Sequence, residues 1–140
     1  MRQLARVCFL LFLGTATAAG QETTAQTAAE EILHKLSNQE FKNVWDKHTS
    51  DWLKNNTSED AFLASMSMGR PQLGSLKDIQ IITREHATQD PITGFEGTIY
   101  AITFRNSYTV GDFYERIVVV KDPDGQFRLA GIYGSAVPKN

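Results

Sequence analysis

The sequence predicts an α+β domain in which three N-terminal helices pack on a curved four-stranded antiparallel sheet. Apolar residues recur at every third or fourth position up to Gly69, and beyond Asp78 they alternate along the chain. Clusters of Gly, Pro, Asp and Asn mark the turns of the second half. Helices first and strands afterwards is the order of a fold with its helices on one sheet face.

Ala29, Ile32, Leu33 and Leu36 share one helical face, giving a first helix over 28–36. Ser37-Asn38 ends it, and Asn38 can cap the next. Phe41, Val44, Trp45, His48 and Trp52 recur on one face of a second helix over 39–53, which stops at Asn55-Asn56. Thr57 or Ser58 opens a third, with Phe62, Leu63 and Met66 inward, ending at Gly69 before Pro71.

The strands follow. Residues 78–85 place Ile79, Ile81 and Thr83 on one face, and 89–97 is a turn-rich connection. Residues 98–108 carry Tyr100, Ile102, Phe104 and Tyr108 on one face, with Arg105 and Ser107 on the other. Val110-Gly111-Asp112 is a hairpin turn. Strand 113–121 holds Ile117-Val118-Val119-Val120, apolar on both faces, as a strand covered on both sides is. Asp122-Pro123-Asp124-Gly125 is a tight turn, and 127–133 closes the sheet. Residues 28–134 therefore form one domain, after a flexible lead-in over 20–27 and before a short tail over 135–140.

Residues 1–19 have the three parts of a secretory signal peptide. Arg2 and Arg6 precede the apolar run Val7–Leu13, and Ala16-Thr17-Ala18 supplies an A-x-A cleavage signal. The run is far shorter than the roughly 20 residues that cross a bilayer. The expected location is periplasmic or secreted, with no membrane anchor after cleavage. Loss of Arg2 and Arg6 takes Lys+Arg from 14 to 12 against 16 Asp+Glu, so the net charge moves from −2 to −4. An acidic chain with no basic cluster lacks the electrostatic footprint of a nucleic-acid binder. The single cysteine, Cys8, leaves with the leader, so the mature domain has no disulfide and no thiol nucleophile.

Metal binding has one motif to consider. Glu31 and His34 have the Glu-x-x-His spacing of a helical ligand pair, but no second motif completes a dimetal site, so no metal or cofactor is expected. No G-x-S-x-G and no glycine-rich phosphate loop is present. Acid/base chemistry would fall to Asp46 and His48 on the second helix, or to Glu115 on the third strand. Glu115 shares a face with Ile117 and Val119, so burial would require a partner, Arg84 or Arg70. Trp45, Tyr100 and Tyr133, with the two arginines, are the ligand-binding candidates. Tyr hydroxyls in a core seek polar partners, which makes Tyr100 and Tyr133 the ones to reach a cavity.

Val44-Trp45-Asp46, Arg70-Pro71-Gln72-Leu73-Gly74 and Arg84 continue into the Tyr100–Phe104 strand, Glu115 and Asp124-Gly125-Gln126-Phe127-Arg128-Leu129-Ala130-Gly131. In order and spacing they resemble a bacterial exported family of unknown function, domain-of-unknown-function family 4019. This chain departs from the family pattern at Arg116, Phe127 and Ile132. The resemblance implies the nuclear-transport-factor-2-like (NTF2-like) and cystatin-like class of α+β folds, which hosts enzymes, binding modules and dimerisation units alike. Three readings stay open. The first is a non-enzymatic domain that binds a small molecule or an envelope protein in the helix–sheet cleft or on the outer sheet face. The second is a cofactor-independent lyase or isomerase using Asp46, His48 or Glu115. The third is a structural homodimer formed through the open sheet face.

Overall fold

The computed structural model describes residues 18–140, and the leader expected over 1–19 lies, up to residue 17, outside the described residues. Helix α1, Ala18–Ser37, is followed by α2, Phe41–Asn43, which widens into a π turn over Val44–His48. Helices α3, Asp51–Asn56, and α4, Glu59–Gly69, come next, and a 3₁₀ turn over Arg70–Leu73 leads to the sheet. Strands β1, Leu76–Gln89, β2, Glu96–Tyr108, β3, Gly111–Lys121, and β4, Phe127–Ala136, form an antiparallel meander in chain order. The fold is thus α+β with an open sheet and its helices on one face.

The expected helices change in two places. First, α1 runs back through 20–27, the stretch expected to be a flexible lead-in. Ala25 is fully buried along with Ala29, Ile32, Leu33 and Leu36, so the apolar stripe reaches one small residue further back than the spacing of the larger ones reveals. Second, the expected helix over 39–53 is two helices, so the described residues hold four α-helical segments where three were expected. Thr49 and Ser50 adopt extended backbone between them. The Ser50 hydroxyl accepts from Leu53 N at 3.2 Å as the N-cap of α3, and Ser50 N donates to Leu129 O at 2.9 Å on β4. A serine that caps and a backbone N–H that joins the sheet together outweigh the helical spacing of the apolar residues.

Between α1 and α2 the chain turns at Gln39, not through an Asn38 cap. Gln39 has φ of 61°, with Gln39 N bonded to Leu36 O and Glu40 N to Lys35 O. This is the left-handed C-terminal turn that glycine usually occupies. Gly74, at φ 78°, admits no side chain without a shift, since a Cβ there would lie 2.8 Å from the Thr109 Cβ.

The core lies between α1 and the inner sheet face, where Tyr100, Ile102 and Phe104 of β2 meet Ile117 and Val119 of β3 and Leu129 of β4. In β1 a bulge between Ile81 and Thr83 reverses the expected alternation. Ile79 and Ile81 face inward beside Asn106 and Phe104, but Thr83 pairs with Thr103 on the outer face and Arg84 turns inward beside Ile102. Strand β4 extends to Ala136, two residues into the expected tail. The β2–β3 hairpin turns at Thr109-Val110, one residue before the expected position, with Tyr108 opposite Gly111.

Candidate functional site

Two places in the fold concentrate chemistry: a polar cluster inside the core and a groove on the helix-free face of the sheet.

The inner cluster forms where Arg70, at the start of the 3₁₀ turn, reaches over β2 and β3. Glu115 is 3% exposed, beneath the helices with Ile117 and Val119. Its Oε2 accepts from the Arg70 guanidinium, and its Oε1 accepts from the Tyr108 hydroxyl and, at 3.0 Å, from Asn106 Nδ2. Arg70 Nη2 also donates to the Tyr108 oxygen at 3.1 Å. One carboxylate therefore takes three donors, as a buried charge requires. Burial pushes the Tyr108 phenol up to about 12, against the pull of Arg70, so it remains a proton donor across the neutral range. Arg70 Nε and Asn106 Oδ1 are buried there without hydrogen-bond partners among the described residues.

Of the two arginines expected beside Glu115, the structure uses Arg70. Arg84 lies two strands away, where Nε donates to Gln26 Oε1 at 2.7 Å and stands 3.9 Å from Glu22 on α1. The bulge at Ile82 sends it there.

The remaining acid/base candidates are not brought together. Asp46 accepts from Lys42 Nζ at 2.8 Å on the surface, one turn along the helix. His48 Nε2 stands 3.8 Å from Glu31, which faces His48 and not its helical neighbour His34. Partial burial holds the His48 imidazole below its ordinary value, against the attraction of Glu31. Asp46 borders a polar basin of about 600 Å³ together with Asp122, Asp124 and Arg128. Two acids of that basin are engaged by one arginine: Arg128 binds Asp122 at 2.9 Å and Asp124 at 2.7 Å.

Two of the expected ligand-binding aromatics belong to the core. Trp45 packs on Phe62 at 5.3 Å between ring centres, with the Lys54 ammonium 5.8 Å from its own ring. Tyr100 is 2% exposed, stacked on His86 at 4.8 Å and edge-on to Phe127 at 5.6 Å. Its hydroxyl finds the Ala18 carbonyl at 3.5 Å in place of a cavity. Tyr133, 61% exposed, lies on the outer face of β4 and lines the groove.

That groove is an apolar trough of about 610 Å³. Its floor is the outward row of the sheet, Ile99 and Ala101 of β2 opposite Val120 and Val118 of β3, with Ala130 of β4. Among the described residues the helix layer reaches this face only through Trp52, yet Ile99, Ala101 and Val120 are 8%, 3% and 2% exposed. The cover is the β1–β2 connection, which folds over the sheet as Pro91, Ile92 and Phe95, and Trp52 of α3, whose ring meets Phe95 edge-on at 6.2 Å. Asp90 organises that connection. Its carboxylate accepts from Ile92 N at 2.9 Å and Thr93 Oγ1 at 2.8 Å, and its N–H donates to Phe95 O at 2.8 Å. The Thr93 hydroxyl, then the Ile92 N–H, hold the Asp90 carboxyl below its usual range. At the rim Arg116 pairs with Glu85 at 3.0 Å. It is the single Lys or Arg among the described residues that line the groove.

The sequence carried a sign of this site that its motifs did not. Four successive apolar residues, Ile117–Val120, announced cover on both faces of β3. The second cover comes from a loop and one tryptophan, and a turn-rich loop has no periodicity to place it.

In comparisons with curated proteins and with solved structures, neither returned a match. Residues 28–132 match the sequence profile of the family described as protein of unknown function (DUF4019), and the chain is a member of that family.

Proposed function

We propose that this chain is an exported, non-enzymatic binding domain that holds a small apolar molecule in the groove on the helix-free sheet face. The observation that carries the reading is the groove itself. Its volume of about 610 Å³ falls within the roughly 300–1,000 Å³ of small-ligand pockets. Its floor is aliphatic, its walls include Trp52, Phe95 and Tyr133, and one cation stands at the rim. Such a site recognises an apolar body and orients it by a single polar end beside Arg116. The tripartite leader supports a periplasmic or secreted location, and the helix layer on a four-stranded meander supports the NTF2-like and cystatin-like class.

A lyase or isomerase needs an acid or base facing a ligand-sized space. Glu115 is enclosed by its three donors, Asp46 is held by Lys42, and His48 faces Glu31. None of the three lines the apolar groove.

Native mass spectrometry of the protein, exported with its own leader and purified gently from a bacterial periplasm, tests the reading. The expected result is an added mass that disappears on denaturation and is absent from Ala101→Trp, whose ring fills the groove floor. A bare mass for the unaltered protein, with no binding of an apolar fluorescent dye that Ala101→Trp abolishes, would overturn it.

A further inference from the structure

The two edges of the sheet are protected very differently. Strand β1 carries Lys77, Asp78, Arg84 and Glu85, and its pairing with β2 is interrupted by register shifts at three places. Charges and bulges of this kind stop an edge from pairing with another chain. On β4, Leu129–Val137 contains no charged residue and no proline. Its first part is occupied, since Ser50 N donates to Leu129 O and Thr49 bridges to the same residue. A bulge at Ala130 sets off that part from the rest. Beyond it, Gly131–Ala136 pairs with β3 on one side and, among the described residues, is an outer edge on the other, with Tyr133–Ala136 all exposed.

We infer that this β4 edge joins a second copy of the chain, antiparallel about a two-fold axis, to make one continuous eight-stranded sheet. An extended strand added to an edge is held by main-chain hydrogen bonds and by its facing side chains. The neutral, small-residue edge asks for a neutral strand of the same kind, and β4 itself is such a strand. A two-fold axis normal to the sheet keeps outer faces together, so each residue must face one on the same side of the pleat. Centring the axis on Tyr133 satisfies this condition: Tyr133 faces its own copy on the outer side, and Ile132 faces Gly134 on the inner side. The Tyr133 ring lies against Gly131 of its own strand, where an added Cβ would meet it at 3.2 Å, and the two Tyr133 rings form an aromatic cross-strand pair. The pairing spans about five residues, or roughly 17 Å, and so belongs with small, weak interfaces and not with obligate ones. Because Tyr133 also lines the apolar groove, the dimer sets the two grooves side by side on one face with the tyrosine pair between them.

The test uses the full-length chain with Cys8→Ser, expressed with its own leader, so that any introduced cysteine is the only one. Sedimentation is measured from low micromolar to several hundred micromolar protein. The expected result is a monomer that moves to twice its mass as concentration rises, with the dissociation constant raised at least tenfold by Tyr133→Lys. Tyr133→Cys is expected to form an inter-chain disulfide under mild oxidation, and Ile82→Cys on the charged β1 edge is not. Because Tyr133 is exposed, both of its variants should keep the wild-type circular dichroism spectrum. A chain that stays monomeric throughout would overturn the inference. So would a dimer indifferent to Tyr133→Lys, or equal crosslinking from Ile82→Cys, since each places the contact elsewhere.

Discussion

Replacing Glu115 by leucine removes the acceptor of three donors and leaves the Arg70 guanidinium, 9% exposed, as an uncompensated charge inside the domain. Breaking one side of a buried ion pair costs about 3–5 kcal/mol. Total stability of about 5–15 kcal/mol makes that about a fifth or more of what holds such a domain folded. With a urea dependence of about 1–3 kcal/mol per molar, the unfolding midpoint should fall by roughly 2 M. Arg70→Met alone should cost a similar amount, because Glu115 then keeps only the neutral donors Tyr108 and Asn106. The pair replaced together, Arg70→Met with Glu115→Leu, should lose well under the sum of the single losses, with a coupling energy of about 2 kcal/mol or more. Adding Tyr108→Phe should recover more, since it removes a hydroxyl that has lost its acceptor. The half-exposed pair Arg105–Asp112, at 2.9 Å, is the control and should couple by less than about 1 kcal/mol. The assay is urea unfolding followed by circular dichroism for all four members of each cycle. If the Arg70–Glu115 coupling is no larger than that of the surface pair, the account of this cluster as one desolvated unit is wrong.

Four further outcomes follow from other parts of the fold. Because burial raises the Tyr108 pKa from 10.0 to about 12, the folded state holds that proton more tightly than the unfolded chain. Its contribution to stability is full below pH 10 and is lost as pH rises through 12. Urea midpoints across that range should fall more steeply for the unaltered protein than for Tyr108→Phe. Gln39→Gly should raise stability by about 0.5–1 kcal/mol, since a side chain at φ 61° is strained and glycine is not, and a thermal melt would show a few degrees of gain. Gly74→Ala should do the reverse, by at least 1 kcal/mol, because it combines a positive φ with a Cβ 2.8 Å from Thr109; an unchanged melt would show that the turn can shift. Asp90→Ala should free the β1–β2 connection from the groove. Trp52, in contact with Phe95, should then report a red-shifted emission in a Trp45→Phe background, while an unchanged spectrum would mean that the loop is held by its apolar contacts alone.

Local pattern was enough wherever one physical effect dominated. The stripe Ala29, Ile32, Leu33, Leu36 has no amphipathic solution other than a helix on a core, and the alternation from Tyr100 to Tyr108 has none other than a half-buried strand. A carboxylate at position 115, in phase with Ile117 and Val119, would need a partner if that face were buried, whichever arginine supplied the charge. The family resemblance was likewise carried by residues in order along the chain.

Only the tertiary structure decided among partners that local pattern left equal. Arg84 and Arg70 were indistinguishable in sequence, and one bulge at Ile82 turned Arg84 toward α1 and left Glu115 to Arg70. The helical spacing from Phe41 to Trp52 held until Ser50 met both an N-cap and a β4 carbonyl, neither of which is written in that spacing. The groove required a loop from one end of the sheet and Trp52 from α3 to meet over a face that periodicity showed only to be apolar. Periodicity encodes which side of an element is buried. What buries it depends on the long-range register of the strands and the direction of the turns, and these exist only once the chain has closed on itself.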